Sequence, residues 1–237
     1  MGQGAALLAG IAGIACAGEA QAQDAEAAQK PPKFAIAGNI AIVSDYVFRG
    51  VSLSDNDFAL QGGFNLSAPH KINAGIWASS IETLGGSELE VDLFASKTVQ
   101  LGKTEVSVGG TGYIYPGSTG LNYGEGLLTA SRNVGPVDVT IGGLYAWQQR
   151  GLSGRDNFYG FVNAAAPLGE LHEIPFTLAA SFGQESGFFD LGQRKFDWSL
   201  KLTASKFGFD ISVGYTDTNI KSRNSKARAV FSISRAF

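Results

Sequence analysis

Asp45 and Arg49 stand four residues apart in the run Val43-Ser44-Asp45-Tyr46-Val47-Phe48-Arg49-Gly50. On an extended chain they share one face, about 13 Å apart at ~3.3 Å per residue. That is too far for a direct pair, so each requires a partner elsewhere. An acid and a base facing one interior suit two roles: a charged constriction that sorts small solutes, or an ion-pair network that braces a wall. Glu88, Glu90 and Asp92 recur at every second position and form an acidic row. Such a row favours cations, or it is balanced by Lys195, Lys201 and Arg228. Gln61, Asn65, Asp197 and Asp210 extend the polar face and complete the candidate lining of an interior passage.

Support for catalysis is thin. The two histidines, His70 and His172, fall in expected turns, and neither begins a His-x-Ser. A barrel hydrolase needs a nucleophile and a base within hydrogen-bond reach. The glycine-rich segments lack phosphate-loop spacing. Cys16 is the only cysteine and lies in a leader-like stretch, so disulfides and thiolate metal sites are not expected. The expectation is a non-enzyme with no metal and no cofactor. A net charge of −3 gives no reason to expect a nucleic-acid partner.

The elements that carry these residues are strands. From Phe196 the even positions Phe196, Trp198, Leu200 and Leu202 are apolar, and after Lys206 the odd positions Phe207, Phe209, Ile211, Val213 and Tyr215 take over. Strand side chains alternate between faces, and a tight hairpin needs this swap to keep both apolar sets on one side. Twelve such segments follow one another from Phe34. The first is Phe34–Phe48, the fourth is Glu88–Leu101, and Gly169 to Pro175 reads as a longer connection. The sixth, from Asn122, and the eighth, from Asn157, have uncertain parity. Connections after even-numbered segments are mostly short, and those after odd-numbered segments are mostly longer and polar. This asymmetry predicts an all-β, closed antiparallel transmembrane barrel of about twelve strands, with both termini on the short-turn side. A soluble sandwich is the competing fold, because alternation alone also fits a dry core between two sheets.

Composition and placement favour the membrane. Only 16% of residues are charged, and 32 are glycine. Phe34, Phe48, Trp147, Trp198, Phe207, Tyr215 and Phe237 sit near segment ends on the apolar face, as interfacial aromatics do. Lys97, Arg132 and Arg235 are the outward charges, all near the short-turn rim where they can snorkel. Residues 1–22 read as a signal peptide ending at Ala20-Gln21-Ala22, 23–33 as a disordered lead-in, and 34–237 as the barrel.

Val43 to Gly50 resembles the opening motif of the TorF family, a proteobacterial family of porin-like proteins. Gly62 to Trp77, Glu88 to Asp92, Tyr113-Ile114-Tyr115-Pro116 and Tyr123-Gly124-Glu125 are similar to later parts of that family. The resemblance implies a bacterial outer-membrane barrel with no established substrate. The terminal Phe237 resembles the signal read by the barrel-assembly machinery, although Arg235 stands where an apolar residue is usual. Lys221, Arg223, Lys226 and Arg228 crowd the last long loop, where lipopolysaccharide phosphates are a candidate partner. With no plug domain expected, the leading function is passive diffusion of small polar solutes or ions. A structural or adhesive barrel with an occluded lumen is the alternative, and a barrel hydrolase ranks below both.

Overall fold

The computed structural model of the chain describes residues 34–190 and 192–237. The expected signal peptide and lead-in lie outside the described residues. The strands are β1 (Ala35–Val43), β2 (Val47–Phe48), β3 (Val51–Ser52), β4 (Ala59–Ala68), β5 (Ile72–Leu84), β6 (Ser87–Leu101) and β7 (Thr104–Ile114). They continue as β8 (Tyr123–Val134), β9 (Val137–Ala146), β10 (Asn157–Leu171), β11 (Ile174–Gly187), β12 (Lys195–Lys206), β13 (Phe209–Thr218) and β14 (Arg228–Ala236). Twelve of them, β1 and β4 to β14, make one closed barrel in chain order, and β14 returns to β1. β2 and β3 form a separate two-stranded hairpin.

Alternation decides which way each side chain faces. On β12, Lys195, Asp197, Ser199, Lys201 and Thr203 are buried, while Trp198 and Leu200 are exposed. β13 pairs with it at Leu200↔Tyr215, and there Ser212, Thr216 and Thr218 are buried while Ile211, Val213 and Tyr215 are exposed. The apolar set is therefore on the outside all round the wall: Ile36, Phe64, Leu93, Val108, Leu128, Ile141 and Ile233 are exposed. Val108 is 59% exposed and Ile211 60%. This is the reverse of a sandwich, whose apolar faces are hidden between sheets. An apolar belt on a closed wall of 9- to 15-residue strands matches a hydrocarbon surrounding. Lys97, Arg132 and Arg235 are exposed near the turn rim, and the Arg235 guanidinium lies 5.0 Å from the centre of the Phe209 ring.

Several boundaries differ from the expected ones. β1 ends at Val43 rather than Phe48, because the chain leaves the wall at Ser44 and turns into the lumen. The expected connection Gly169 to Pro175 is mostly strand: β10 runs to Leu171, β11 starts at Ile174, and the turn is His172-Glu173. A register shift between Pro167 and Gly169 lets β10 continue past a proline, which cannot donate a ladder hydrogen bond. A second shift, between Ser80 and Leu84, sets three residues of β5 against Glu88 alone. The strict period of two that puts Glu88 in the lumen fails there. Glu88 is exposed and accepts a 3.3 Å hydrogen bond from the Thr83 hydroxyl.

The seam is the shortest part of the wall. β1 pairs β4 from Ala35↔Ser67 to Val43↔Ala59, but β14 only from Asn39↔Ala236 to Val43↔Ser232. Phe237 extends it: Gly38 donates to the Phe237 carbonyl (2.8 Å) and accepts from the Phe237 amide (2.9 Å). The Phe237 ring covers Gly38 so closely that a Cβ there would lie 2.5 Å from it, and its edge meets Phe64 at 6.2 Å.

Phe207 in the β12–β13 turn has φ 57° and is 86% exposed. A bulky residue in the left-handed region carries roughly 1–3 kcal/mol of strain. Asn-Gly is the pair that such a two-residue turn prefers. Phe207→Asn is expected to raise the unfolding free energy of the vesicle-embedded barrel by about 1 kcal/mol in a urea titration; a fall would show that the ring's anchoring outweighs its strain.

Candidate functional site

The site is where the β2–β3 hairpin crosses the lumen. It is a minimal hairpin, pairing only Val47↔Ser52 and Phe48↔Val51. Its two-residue loop is Arg49 (φ 48°) and Gly50 (φ 77°), both left-handed as a type I′ turn requires. The base is tied to the wall and to itself. Ser44 N–H donates to the Phe231 carbonyl (2.8 Å), Leu53 N–H to the Tyr46 carbonyl (2.7 Å), and Glu82 N–H to the Leu53 carbonyl (2.8 Å). Asp45 accepts from Arg228 Nη1 at 2.5 Å, Ser52 Oγ at 2.6 Å and Ser54 Oγ at 3.0 Å. The tip lies against β12 and β13, where a Cβ on Gly50 would stand 2.9 Å from Asp197 Cβ and from Thr218 Cβ.

Arg49 anchors this crossing. Its Nη1 donates to Glu125 Oε1 (3.1 Å) and Glu185 Oε1 (2.7 Å), and Nη2 donates to Glu125 Oε2 (2.5 Å). The guanidinium carbon is 4.4 Å from the centre of the Tyr159 ring and 4.6 Å from that of Phe48. Glu125 also accepts from the Tyr113 hydroxyl (3.1 Å), and Glu185 from Asn157 (3.0 Å) and Lys195 Nζ (2.6 Å). On the other side, Glu90 takes the Tyr46 hydroxyl at 2.6 Å and the Tyr115 hydroxyl at 2.7 Å. Arg49, Glu90, Glu125 and Glu185 are all buried. Around them, Tyr46, Trp77, Ile81, Tyr113, Tyr115, Tyr123 and Leu152 pack into a dry cluster, with Tyr46 meeting Trp77 edge-on at 5.4 Å. At this level the lumen is filled by side chains. Nearer the turn rim it is lined by small hydroxyls that pair across strands: Thr98 with Ser107 (2.7 Å), Ser181 with Ser199 (2.8 Å) and Ser212 with Ser232 (2.7 Å).

The residues singled out in the sequence divide clearly. Asp45 and Arg49 are in the site, but on the hairpin rather than on a wall strand. Glu90, Asp92 and Asp197 are buried in the wall around it, and Asp197 accepts from the Tyr159 hydroxyl at 3.0 Å. Gln61 is buried and donates to Ser79 Oγ (3.3 Å). Lys201 is buried on the inward side of β12, and Asn65 is half-buried on β4. Asp210 accepts from the Ser205 hydroxyl near the turn rim, away from the hairpin. Glu88 is not in the lumen. The expected basic counter-row does not oppose the acidic row: Glu90 is met by two tyrosine hydroxyls, Lys195 by Glu185, and Arg228 by Asp45. Phe34, Trp147, Trp198, Phe207, Tyr215 and Phe237 are on the outside. Phe48 is not. It packs inside, edge-on to Tyr113 at 6.0 Å, because the chain has already left the wall. A plug was not expected, and this hairpin is one.

Glu125 and Glu185 escaped sequence reasoning. Glu125 lies in a glycine-rich segment of uncertain parity. The inward set Tyr123, Glu125, Leu127 and Thr129 does keep a period of two, which is the signal that was available. Outside the wall strands, Asp190 accepts from Gly187 N–H (2.9 Å) and Gly192 N–H (2.8 Å), and these hold its carboxyl below the ordinary carboxylate range.

Residues 25–237 match the family described as "Bacterial protein of unknown function (Gcw_chp)". No curated protein matches the chain. Among solved structures, one from work on the in-meso crystallization of membrane proteins is similar at 8% identity and a TM-score of 0.51, covering 85% of this chain and 83% of that one. A porin refined at 1.8 Å resolution is similar at 11% identity and a TM-score of 0.40, covering 86% and 100%. OmpT of Vibrio cholerae is similar at 10% identity and a TM-score of 0.41, covering 86% and 96%. The first of these is a likeness of fold.

Removing one partner of a buried ion pair costs about 3–5 kcal/mol, because a charge is left without compensation. Glu185 compensates both Arg49 and Lys195, whereas Arg49 keeps Glu185 when Glu125 is lost. Glu185→Gln is therefore expected to fall in that range and Glu125→Gln clearly below it, measured as unfolding midpoints of the refolded barrels; equal costs would contradict the shared-carboxylate geometry.

Proposed function

For this chain, which belongs to the Gcw_chp family of bacterial proteins of unknown function, we propose the role of an outer-membrane pore held shut by its own first loop. The observation that carries this reading is Arg49, which crosses the lumen to Glu125 and Glu185. A permanent plug needs no charges: replacing a buried ion pair by apolar residues is often neutral or stabilising. A latch of ion pairs, on a hairpin with only two ladder pairs, suits a closure that reverses. Small polar solutes or ions are the cargo, entering past the hydroxyl-lined half of the lumen. The long loops face outward and the short turns and termini face the periplasm. The resemblance of Val43–Gly50 to the TorF family supports the same role. Lipopolysaccharide at the Lys221–Lys226 loop and the assembly machinery at Phe237 are the proposed partners, and the work done is passive passage rather than catalysis.

A structural barrel with a permanently occluded lumen is the second reading, favoured by the packed cluster around Tyr46 and Trp77. Planar-bilayer recording separates the two. Arg49→Ala is expected to raise both the frequency and the size of conductance steps several-fold over the native chain. Silence from the variant and the native chain alike would reject the pore and leave the structural barrel.

A further inference from the structure

Apart from the Phe48 ring, the receptor that holds the Arg49 guanidinium is built by the wall. Glu125 grips it through two parallel hydrogen bonds (3.1 and 2.5 Å), Glu185 adds a third (2.7 Å), and the Tyr159 ring lies 4.4 Å from its carbon. A fork of donors met by a carboxylate, with an aromatic face beside it, is recognition specific to guanidinium; an ammonium is a point charge and cannot use the fork. The receptor's parts are held by other wall residues. Tyr113 orients Glu125, Asn157 and Lys195 orient Glu185, and the Tyr159 hydroxyl is fixed on Asp197. Each of these hydrogen bonds runs between wall residues and uses no atom of the hairpin.

Charge points the same way. With Arg49 withdrawn, the two buried carboxylates of Glu125 and Glu185 keep a single basic partner between them, Lys195 on Glu185. An emptied receptor with this excess demands a cation.

We infer that the Glu125–Glu185–Tyr159 site is a binding site for solutes bearing a guanidinium group, which Arg49 occupies in the closed state as a built-in substitute. A free guanidinium solute competes with Arg49 for these carboxylates, and the pore admits the class of solute that unlatches it. The second statement rests on the pore reading above; the first does not.

Chemical rescue tests the site. The refolded Arg49→Ala barrel is heated with millimolar methylguanidinium, with methylammonium, or with methylurea, the neutral isostere. Ligand that binds only the folded state raises the melting temperature with its concentration. Methylguanidinium is expected to restore several degrees, methylammonium clearly less and methylurea none. The rescue is expected to vanish when Glu125→Gln and Glu185→Gln are added. Equal protection by methylurea, or protection that survives loss of both carboxylates, would overturn the assignment. Should the alanine variant fail to refold, R49Q keeps the side-chain length and takes its place under the same criteria. Rescue without conductance defeats only the pore; conductance without rescue defeats only the site.

Discussion

A guanidinium buried in the middle of a barrel must be neutralised there, and most of the interior is arranged around that need. The bare cost of moving one ion out of water is several kcal/mol even after relaxation. Arg49 meets it with two carboxylates and two aromatic faces drawn from β8, β10, β11 and the hairpin itself. Each carboxylate in turn recruits a donor of its own, Tyr113 for Glu125 and Lys195 for Glu185. The network therefore joins strands that are far apart in the chain, and Glu185 is the member that holds two cations, Arg49 and Lys195.

The wall meets a different demand with much simpler means. A closed antiparallel sheet satisfies its own backbone, so its outer side needs only apolar side chains and its inner side only groups compatible with the lumen. Alternation supplies both. Where the rule is broken, something local explains it: the β5–β6 bulge expels Glu88, the β10 bulge carries Pro167, and the first strand stops early to release the hairpin. The loop end holds the inserted hairpin and the turn end is lined by paired hydroxyls, so the two halves of the lumen differ in chemistry as well as in filling.

The alternating pattern of the chain was enough to establish the strands, their count and the direction in which nearly every side chain of β4, β12 and β13 points. A strand's period of two, together with a lipid outside and a polar interior, leaves little freedom. It also made Asp45, Arg49, Glu90, Asp92 and Asp197 legible as interior charges. What it could not reveal was that Ser44 breaks the wall. The alternation continues through Tyr46 and Phe48, because an inserted hairpin is itself a pair of strands and obeys the same period. The same ambiguity sent Phe48 to the wrong side of the barrel.

Which charges meet was decided only by closure of the barrel. Arg49 and Glu185 are 136 positions apart, and Asp45 and Arg228 are 183 apart. Periodicity reports the face that a residue occupies, not its height or its neighbour across a lumen. Those depend on stagger, on bulges and on a two-residue turn whose left-handed geometry aims one side chain at the opposite wall. The residues at hand determined that the chain would make a membrane-facing barrel with a charged interior. The folded molecule alone determined that Arg49 bridges the interior to Glu125 and Glu185, because only closing the sheet brings β8 and β11 within reach of a loop leaving β1.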